Sequence, residues 1–421
     1  MFLSDYFDGI IGVITYLWSL RMSKPEVLWE ITHKCNAKCI HCISDAGNVR
    51  NQELTTEEAL DVCDQLAECS KAIHLLGGEV FLRNDWKKII ERIHSHGMYY
   101  SIVTNGIALN REKIKYLKDL GIKNFGISVD AGTAEVNDHI RGVPGLYNKV
   151  FEVMDILAEE EMKFTVISTF NKLNIHQVDL MLGNMINSPA KVWQTQGAIV
   201  HGRMAKDLAL NEFEFYILSL FLSIAKKKIP QDVLYIAAGH DQGHFSKVIP
   251  HYTVYQKWEG CYAGKATFGI CSNGDIQGCL CMMAAKEFVL GNVKEKPIKQ
   301  IYNVENFCSW NHRDEKYKTL KGFCKDCVHS CQCLAGCSSI ATALTGTVGE
   351  NPQCHHRIEM EWKDRKPNNE FEYVFKELTG GFVDDNGNVF LASGNMLTKS
   401  LLSKLNLDSH QQKLLSYIAN I

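Results

Sequence analysis

The stretch Cys35-Asn36-Ala37-Lys38-Cys39-Ile40-His41-Cys42 sets three thiols within eight residues, directly after an apolar run at 27–33. Soft thiolate ligands select iron–sulfur clusters or zinc. A closed structural zinc site takes four protein ligands, and this loop offers three. A four-iron cluster with one iron left for another ligand fits that count better. Three unrelated buried thiols are the bland alternative.

Outward from that loop, short apolar or β-branched runs recur at 27–33, 72–76, 99–104, 124–129, 163–169 and 191–196. Helix-like patterns separate them at 55–67, 85–95, 110–120, 144–161 and 174–187. The first has N-cap candidates in Thr55 and Thr56 and acidic residues in its first turn. Such alternation predicts βαβ units and a parallel sheet, an α/β fold. Ligands in these folds gather at the carboxyl ends of the strands, which is where the cysteine loop falls. Six strands are too few for a full eight-fold barrel.

The whole chain sets wider bounds. Its 421 residues allow two or three domains, and 46% apolar with 22% charged residues is ordinary globular composition. A net charge of −3 gives no case for nucleic acid or an anionic membrane surface. Residues 9–20 are apolar, but Asp5 and Asp8 precede them where a signal peptide is basic. They are too short to span a bilayer. An amphipathic helix packed on a cytoplasmic protein is expected. In that compartment sixteen cysteines point to metal or redox work.

A second cysteine group lies far downstream. Cys324, Cys327, Cys333 and Cys337 are spaced C-x2-C-x5-C-x3-C, and Cys354 follows. Upstream, Cys261 precedes Gly274, and Cys279 comes after four more residues. Zinc ribbons compete as a reading, but the surplus of ligands favours iron–sulfur.

The first motif, with His41 as the aromatic before its third cysteine, resembles the signature of radical S-adenosylmethionine (SAM) enzymes. The resemblance implies an open (β/α)6 partial TIM-like barrel and a [4Fe-4S] cluster on Cys35, Cys39 and Cys42, with SAM on the fourth iron. Cleavage of SAM would give a 5′-deoxyadenosyl radical that abstracts a substrate hydrogen. Gly77-Gly78-Glu79 is similar to the family's Gly-Gly-Glu-Pro motif for the SAM amino group, with Val80 in place of Pro. Ser128 and Arg141 inherit contacts to the SAM ribose and carboxylate. Asn105, in the Thr104-Asn105-Gly106 turn, is a further SAM-site candidate.

The second group resembles the seven-cysteine SPASM pattern, which implies two auxiliary [4Fe-4S] clusters and so three in all. Cys324, Cys327, Cys333 and Cys354 take the outer cluster. Cys261, Cys279 and Cys337 take the inner one, whose fourth ligand is Cys271, Cys281 or absent. A closed inner cluster would conduct electrons, whereas an open iron would bind a substrate thiolate. Cys63 and Cys69 read as core thiols; Cys308 and Cys331 stay unassigned among the cluster ligands.

The expected layout is an N-terminal segment at 1–24, the barrel at 25–205, a helical bridge at 206–258, the SPASM domain at 259–357 and a tail at 358–421. The tail has a hairpin signal around Asn386-Gly387 and a helix-like run over 396–418. At about 60 residues it is short for a leader-binding module, and the 24 residues ahead of the barrel are fewer still, so packing on the barrel is expected.

Relatives of this kind modify ribosomally made peptides. The leading expectation is a carbon–carbon or thioether cross-link in a precursor peptide. A flavodoxin or ferredoxin would supply electrons, and a separate protein would bind the leader. Peptide epimerisation is an alternative, with Cys271, Cys281, Cys308 or Cys331 as hydrogen donor. So is sulfatase-maturase-like oxidation, although Leu280 stands where those enzymes carry Asp. Modification of a small-molecule precursor and a non-catalytic electron carrier complete the set.

Overall fold

The computed structural model describes residues 24–47, 52–70, 72–239, 245–250, 252–253, 258–282 and 286–419. The expected N-terminal amphipathic segment, apart from Lys24, lies outside them.

The six runs read as strands form β1 (Glu26–Glu30), β2 (Ala72–Leu76), β3 (Tyr99–Thr104), β4 (Asn124–Ser128), β5 (Phe164–Phe170) and β6 (Val192–Gly197). They pair in chain order, all parallel. A further parallel strand, β7 (Tyr235–Ala238), continues the sheet beyond β6. It falls inside the segment expected to be a helical bridge. Four residues, two of them alanine, carry too little pattern to read as a strand.

Helices α1 (Thr56–Cys69), α2 (Trp86–Ser95), α3 (Arg111–Asp119), α4 (Ala134–Arg141), α5 (Leu146–Glu159), α6 (Val178–Ile186) and α7 (Glu212–Lys228) connect or follow the strands. Thr55 caps α1 in a reciprocal box with Glu58. Cys63 is buried in its core face, as expected of a structural thiol. The short α4 was not expected; Thr133 starts it, and Gly142 ends it at φ +66°. Parallel strands packed in this way are buried on both faces. In β1 Val27 and Trp29 are buried on one face and Glu26 and Glu30 on the other, where Glu30 lines a cavity.

The cysteine-rich module is built onto the same sheet. Its strand β8 (Thr267–Ile270) lies parallel to β1, and β9 (Asp275–Gln277) and β10 (Val289–Asn292) follow antiparallel. Among the described residues the sheet therefore has ten strands, with β1 joining barrel to module.

The tail packs on α7. Phe213 stacks edge-on against Trp362 and Phe375, with centroids 5.3 and 4.7 Å away, and Tyr417 meets Phe221. The expected hairpin is present as β11 (Phe382–Val383) and β12 (Val389–Phe390). The helix expected over 396–418 is broken into Lys399–Leu402 and Ser409–Ser416, because Asp408 caps a new start. Among the described residues no helix is long and apolar enough to cross a membrane.

Candidate active site

An irregular loop buried at the end of a sheet needs partners for its backbone polar groups. Three neighbours serve the Cys35–Cys42 loop. The N–H groups of Lys38 and Ile40 donate to the carbonyls of Arg141 and Ile140 at the end of α4, at 3.1 and 2.9 Å. Just ahead of the loop, Gly78 and Glu79 N–H donate to the Thr32 and Lys34 carbonyls, at 2.8 and 2.7 Å. Beyond β6, the Arg203 backbone N–H donates to the Cys42 carbonyl at 3.0 Å, and its Nε to the Cys39 carbonyl at 2.9 Å. Ala37 and Ala46 N–H groups point at the Cys35 and Cys42 sulfurs, each at 3.4 Å. The Ala37 donor lowers the Cys35 pKa, toward the thiolate form that a cluster needs.

The loop borders a cavity of about 310 Å3 at the carboxyl ends of the strands. All three cysteines line it, with His41, Gly77, Gly78, Asn105, Ser128 and Arg141. Eight of the barrel residues named from sequence thus meet there, besides His41. Thr169, Gln196 and Arg203 line it as well, and no sequence signal marked them. Leu280 and Cys281 close it from the SPASM side. Of the four thiols weighed as hydrogen donors, Cys281 is the one on this wall.

Glu79 is not on that wall. Its buried carboxylate accepts from the Thr104 hydroxyl at 2.8 and 3.0 Å and from the Asn105 N–H at 2.9 Å. Burial raises its pKa, and these donors oppose the rise. In this state it braces the β3 loop, while the glycines before it face the cavity. Asn105 in turn donates from Nδ2 to Asn36 at 2.8 Å, joining that loop to the cysteine loop.

Arg141 is almost wholly buried. Its Nε lies 2.5 Å from Asp130 Oδ2, and its Nη1 points at Cys39 Sγ from 3.6 Å. Asp130, fully buried, also accepts from the Thr169 N–H at 2.7 Å and stands 3.4 Å from His41 Nε2. Burial pushes His41 down to about 4 despite the aspartate, leaving the imidazole neutral. Burial likewise pushes Cys35 up to about 11 and raises Cys39, against the pull of Arg141. Loading a cluster therefore displaces protons.

Gly78 has no room for a side chain, since a Cβ there would collide with the Lys34 and His33 backbone. Gly78→Ala is expected to push the two loops apart and weaken SAM binding at least about tenfold, or 1.4 kcal/mol. Equilibrium binding of SAM to reconstituted protein reads this. Gly183→Ala in α6, where a Cβ meets open space, is the control; it should leave SAM binding unchanged and add about 0.5–1 kcal/mol of stability.

Among the SPASM cysteines, those expected to hold the outer cluster act on one another electrostatically. The Cys333 thiol is raised first by burial and then by Cys354, Cys324 and Cys327, so the outer four are neighbours. Burial pushes Cys354 up to about 12, with Cys324 and Cys327 adding to it. The His329 N–H reaches Cys327 Sγ at 3.4 Å. Lys316, fully buried, donates to Ser338 Oγ at 2.6 Å; burial lowers its pKa, and Cys261, Cys337, Cys333 and Cys324 oppose that. A buried lysine beside these thiols suits anionic clusters, whose charge would favour its ammonium form. Among the described residues no three ligating side chains converge as around a single ion; a cluster spreads its thiolates over several irons.

The same two modules emerge from comparison with known proteins. The Radical SAM superfamily is matched over residues 29–183, and the SPASM iron–sulfur cluster-binding domain over 261–328. The chain is an enzyme of the radical SAM class with a SPASM domain, dependent on [4Fe-4S] chemistry and SAM. It is 27% identical over 346 residues to an AdoMet-dependent heme synthase of Methanosarcina barkeri, covering 79% of this chain and 96% of that one. It is 24% identical over 373 residues to a PqqA peptide cyclase of Bradyrhizobium diazoefficiens, covering 85% and 94%. In structure it resembles Streptococcus suis SuiB bound to its precursor peptide SuiA, with a TM-score of 0.63 at 15% identity over 79% of this chain and 76% of that one.

Proposed function

We propose that the enzyme cross-links a ribosomally made precursor peptide, by a carbon–carbon or thioether bond. The observation that carries this reading is the pairing of both cavity arginines. Arg203 is held by Asp45 and by the Cys39 and Ala46 carbonyls, and Arg141 by Asp130. A substrate presenting several carboxylates would have to displace those partners or compete with SAM for the remaining Arg141 N–H groups. A neutral peptide side chain would not. The cavity is also at the low end of the roughly 300–1,000 Å3 usual for ligand sites, a size that suits SAM itself.

When bound, the cluster on Cys35, Cys39 and Cys42 and its SAM supply a 5′-deoxyadenosyl radical for hydrogen abstraction. Gly77, Gly78 and the Glu79 brace shape the pocket for the SAM amino group. The Arg141 N–H groups not facing Asp130 or Cys39 take its carboxylate, and Ser128 its ribose. Cross-linking removes two hydrogens from the peptide, one as an atom and one as a proton. Clusters held by the SPASM cysteines would give the remaining electron a route out. Leu280 on the wall supplies no carboxylate base, which disfavours sulfatase-maturase-like oxidation. Flavodoxin or ferredoxin would deliver the initiating electron, and a separate protein would bind the leader.

Modification of a tetrapyrrole is the second reading, favoured by the similarity to a heme synthase. Anaerobically reconstituted enzyme with SAM and dithionite separates the two. The substrates are synthetic peptides encoded by short reading frames beside its gene, and Fe-coproporphyrin III. Loss of two hydrogens from a peptide, with a cross-link in its fragment spectrum, is the expected result. Unchanged peptides and a decarboxylated tetrapyrrole would replace this reading by the second.

A further inference from the structure

The inner auxiliary cluster has three pattern-matched ligands, Cys261, Cys279 and Cys337, and a fourth position that spacing left between Cys271, Cys281 and none. A different thiol is built into the place. Cys308 is 1% exposed, and its side chain is wedged between Gly264 and Gly278. A Cβ on either glycine would overlap the Cys308 sulfur. Those glycines stand three residues after Cys261 and directly before Cys279.

The backbone holds the same arrangement. Asn311, fully buried, donates from Nδ2 to the Cys261 carbonyl at 2.8 Å and to the Ala263 carbonyl at 2.7 Å. Its own N–H donates to the Cys308 carbonyl at 2.7 Å. One side chain and one amide thus fasten the Cys308 turn to the Cys261 turn. Cys308 also takes φ +53°, a left-handed conformation unfavourable for a residue with a Cβ and retained where surroundings impose it. Both Cys261 and Cys279 act electrostatically on its thiol, as neighbours would.

We propose that Cys308 is the fourth protein ligand of the inner cluster, with Cys261, Cys279 and Cys337. No spacing rule pointed to it, because Cys308 lies 29 residues beyond Cys279 and the fold alone brings it back. Cys281 is then left free on the cavity wall. Four thiolates close the cluster, so it conducts an electron and offers no open iron to a substrate thiolate. That last consequence rests on the peptide reading above and favours a carbon–carbon link; the ligation itself does not depend on the substrate.

The test compares Cys308→Ala, Cys308→Ser, Cys271→Ala and Cys281→Ala in the full chain, reconstituted anaerobically with 57Fe. Iron content and Mössbauer and EPR spectra are read, with circular dichroism to verify the fold. Cys308→Ala should lose between one and about four irons per chain, the range from one site to a whole cubane. Cys308→Ser, which keeps a small ligating group, should retain more iron with a changed spectrum. The Cys271 and Cys281 variants should match the parent. Parental iron and spectra in both Cys308 variants would overturn the assignment. So would the loss appearing in Cys271→Ala or Cys281→Ala instead. If Cys308→Ala misfolds, the iron content and spectrum of Cys308→Ser decide by the same criteria. Peptide cross-linking plays no part in the readout, so a failed substrate assignment leaves it standing.

Discussion

Replacing Cys35, Cys39 and Cys42 together by alanine is expected to abolish 5′-deoxyadenosine formation and lower iron from about twelve to about eight per chain, one cubane's worth. The loop should survive the change, because its anchors are backbone groups. Lys38 and Ile40 bind the end of α4, and the Cys39 and Cys42 carbonyls bind Arg203, whatever side chains the cysteines carry. The auxiliary thiols belong to the module built on β8 to β10 and the segments after it, so their clusters should load as before. Parallel iron analysis and SAM-cleavage assays on parent and variant decide. Persistent 5′-deoxyadenosine in the triple variant would remove these cysteines from catalysis. About four irons in the parent, or stoichiometric zinc, would remove the auxiliary clusters.

What the sequence disclosed was what is local along the chain. β1 to β6 announced themselves by apolar runs, and the cysteine loop by spacing within eight residues. The outer thiol set was equally legible, its first three members being crowded between 324 and 333. Three kinds of feature escaped. β7 is too short for periodicity to register. The helix α4, which sets Arg141 beside Cys39, lies in a largely polar run to which no element was assigned. Arg203 and Cys308 reach their sites through tertiary folding, from far along the chain, and no local pattern could place them. Asp130, two residues beyond β4, had no local signal; burial and its pairing with Arg141 give it a role.

That pairing changes what Arg141→Ala should do. Asp130 is fully buried, and Arg141 supplies the opposite charge at 2.5 Å. Removing one partner of a buried pair strands the other, at a cost of about 3–5 kcal/mol. The single variant should therefore be strongly destabilised as well as weak for SAM. The double variant Arg141→Ala/Asp130→Asn separates the two effects. Asparagine keeps an oxygen for the Thr169 N–H, which Asp130 Oδ1 now accepts at 2.7 Å, and carries no charge to strand. It should recover at least about half of the lost stability, a non-additivity typical of contacting residues. Melting temperatures and urea midpoints of equally iron-loaded samples read this, and additive losses would show that the pair is energetically unimportant. SAM affinity should stay low in the double variant, by roughly 1.5–3 kcal/mol, since the charged donor to the SAM carboxylate is still missing. If SAM affinity returned along with stability, Arg141 would be a strut for Asp130 and the cysteine loop, and the carboxylate contact would belong to another residue.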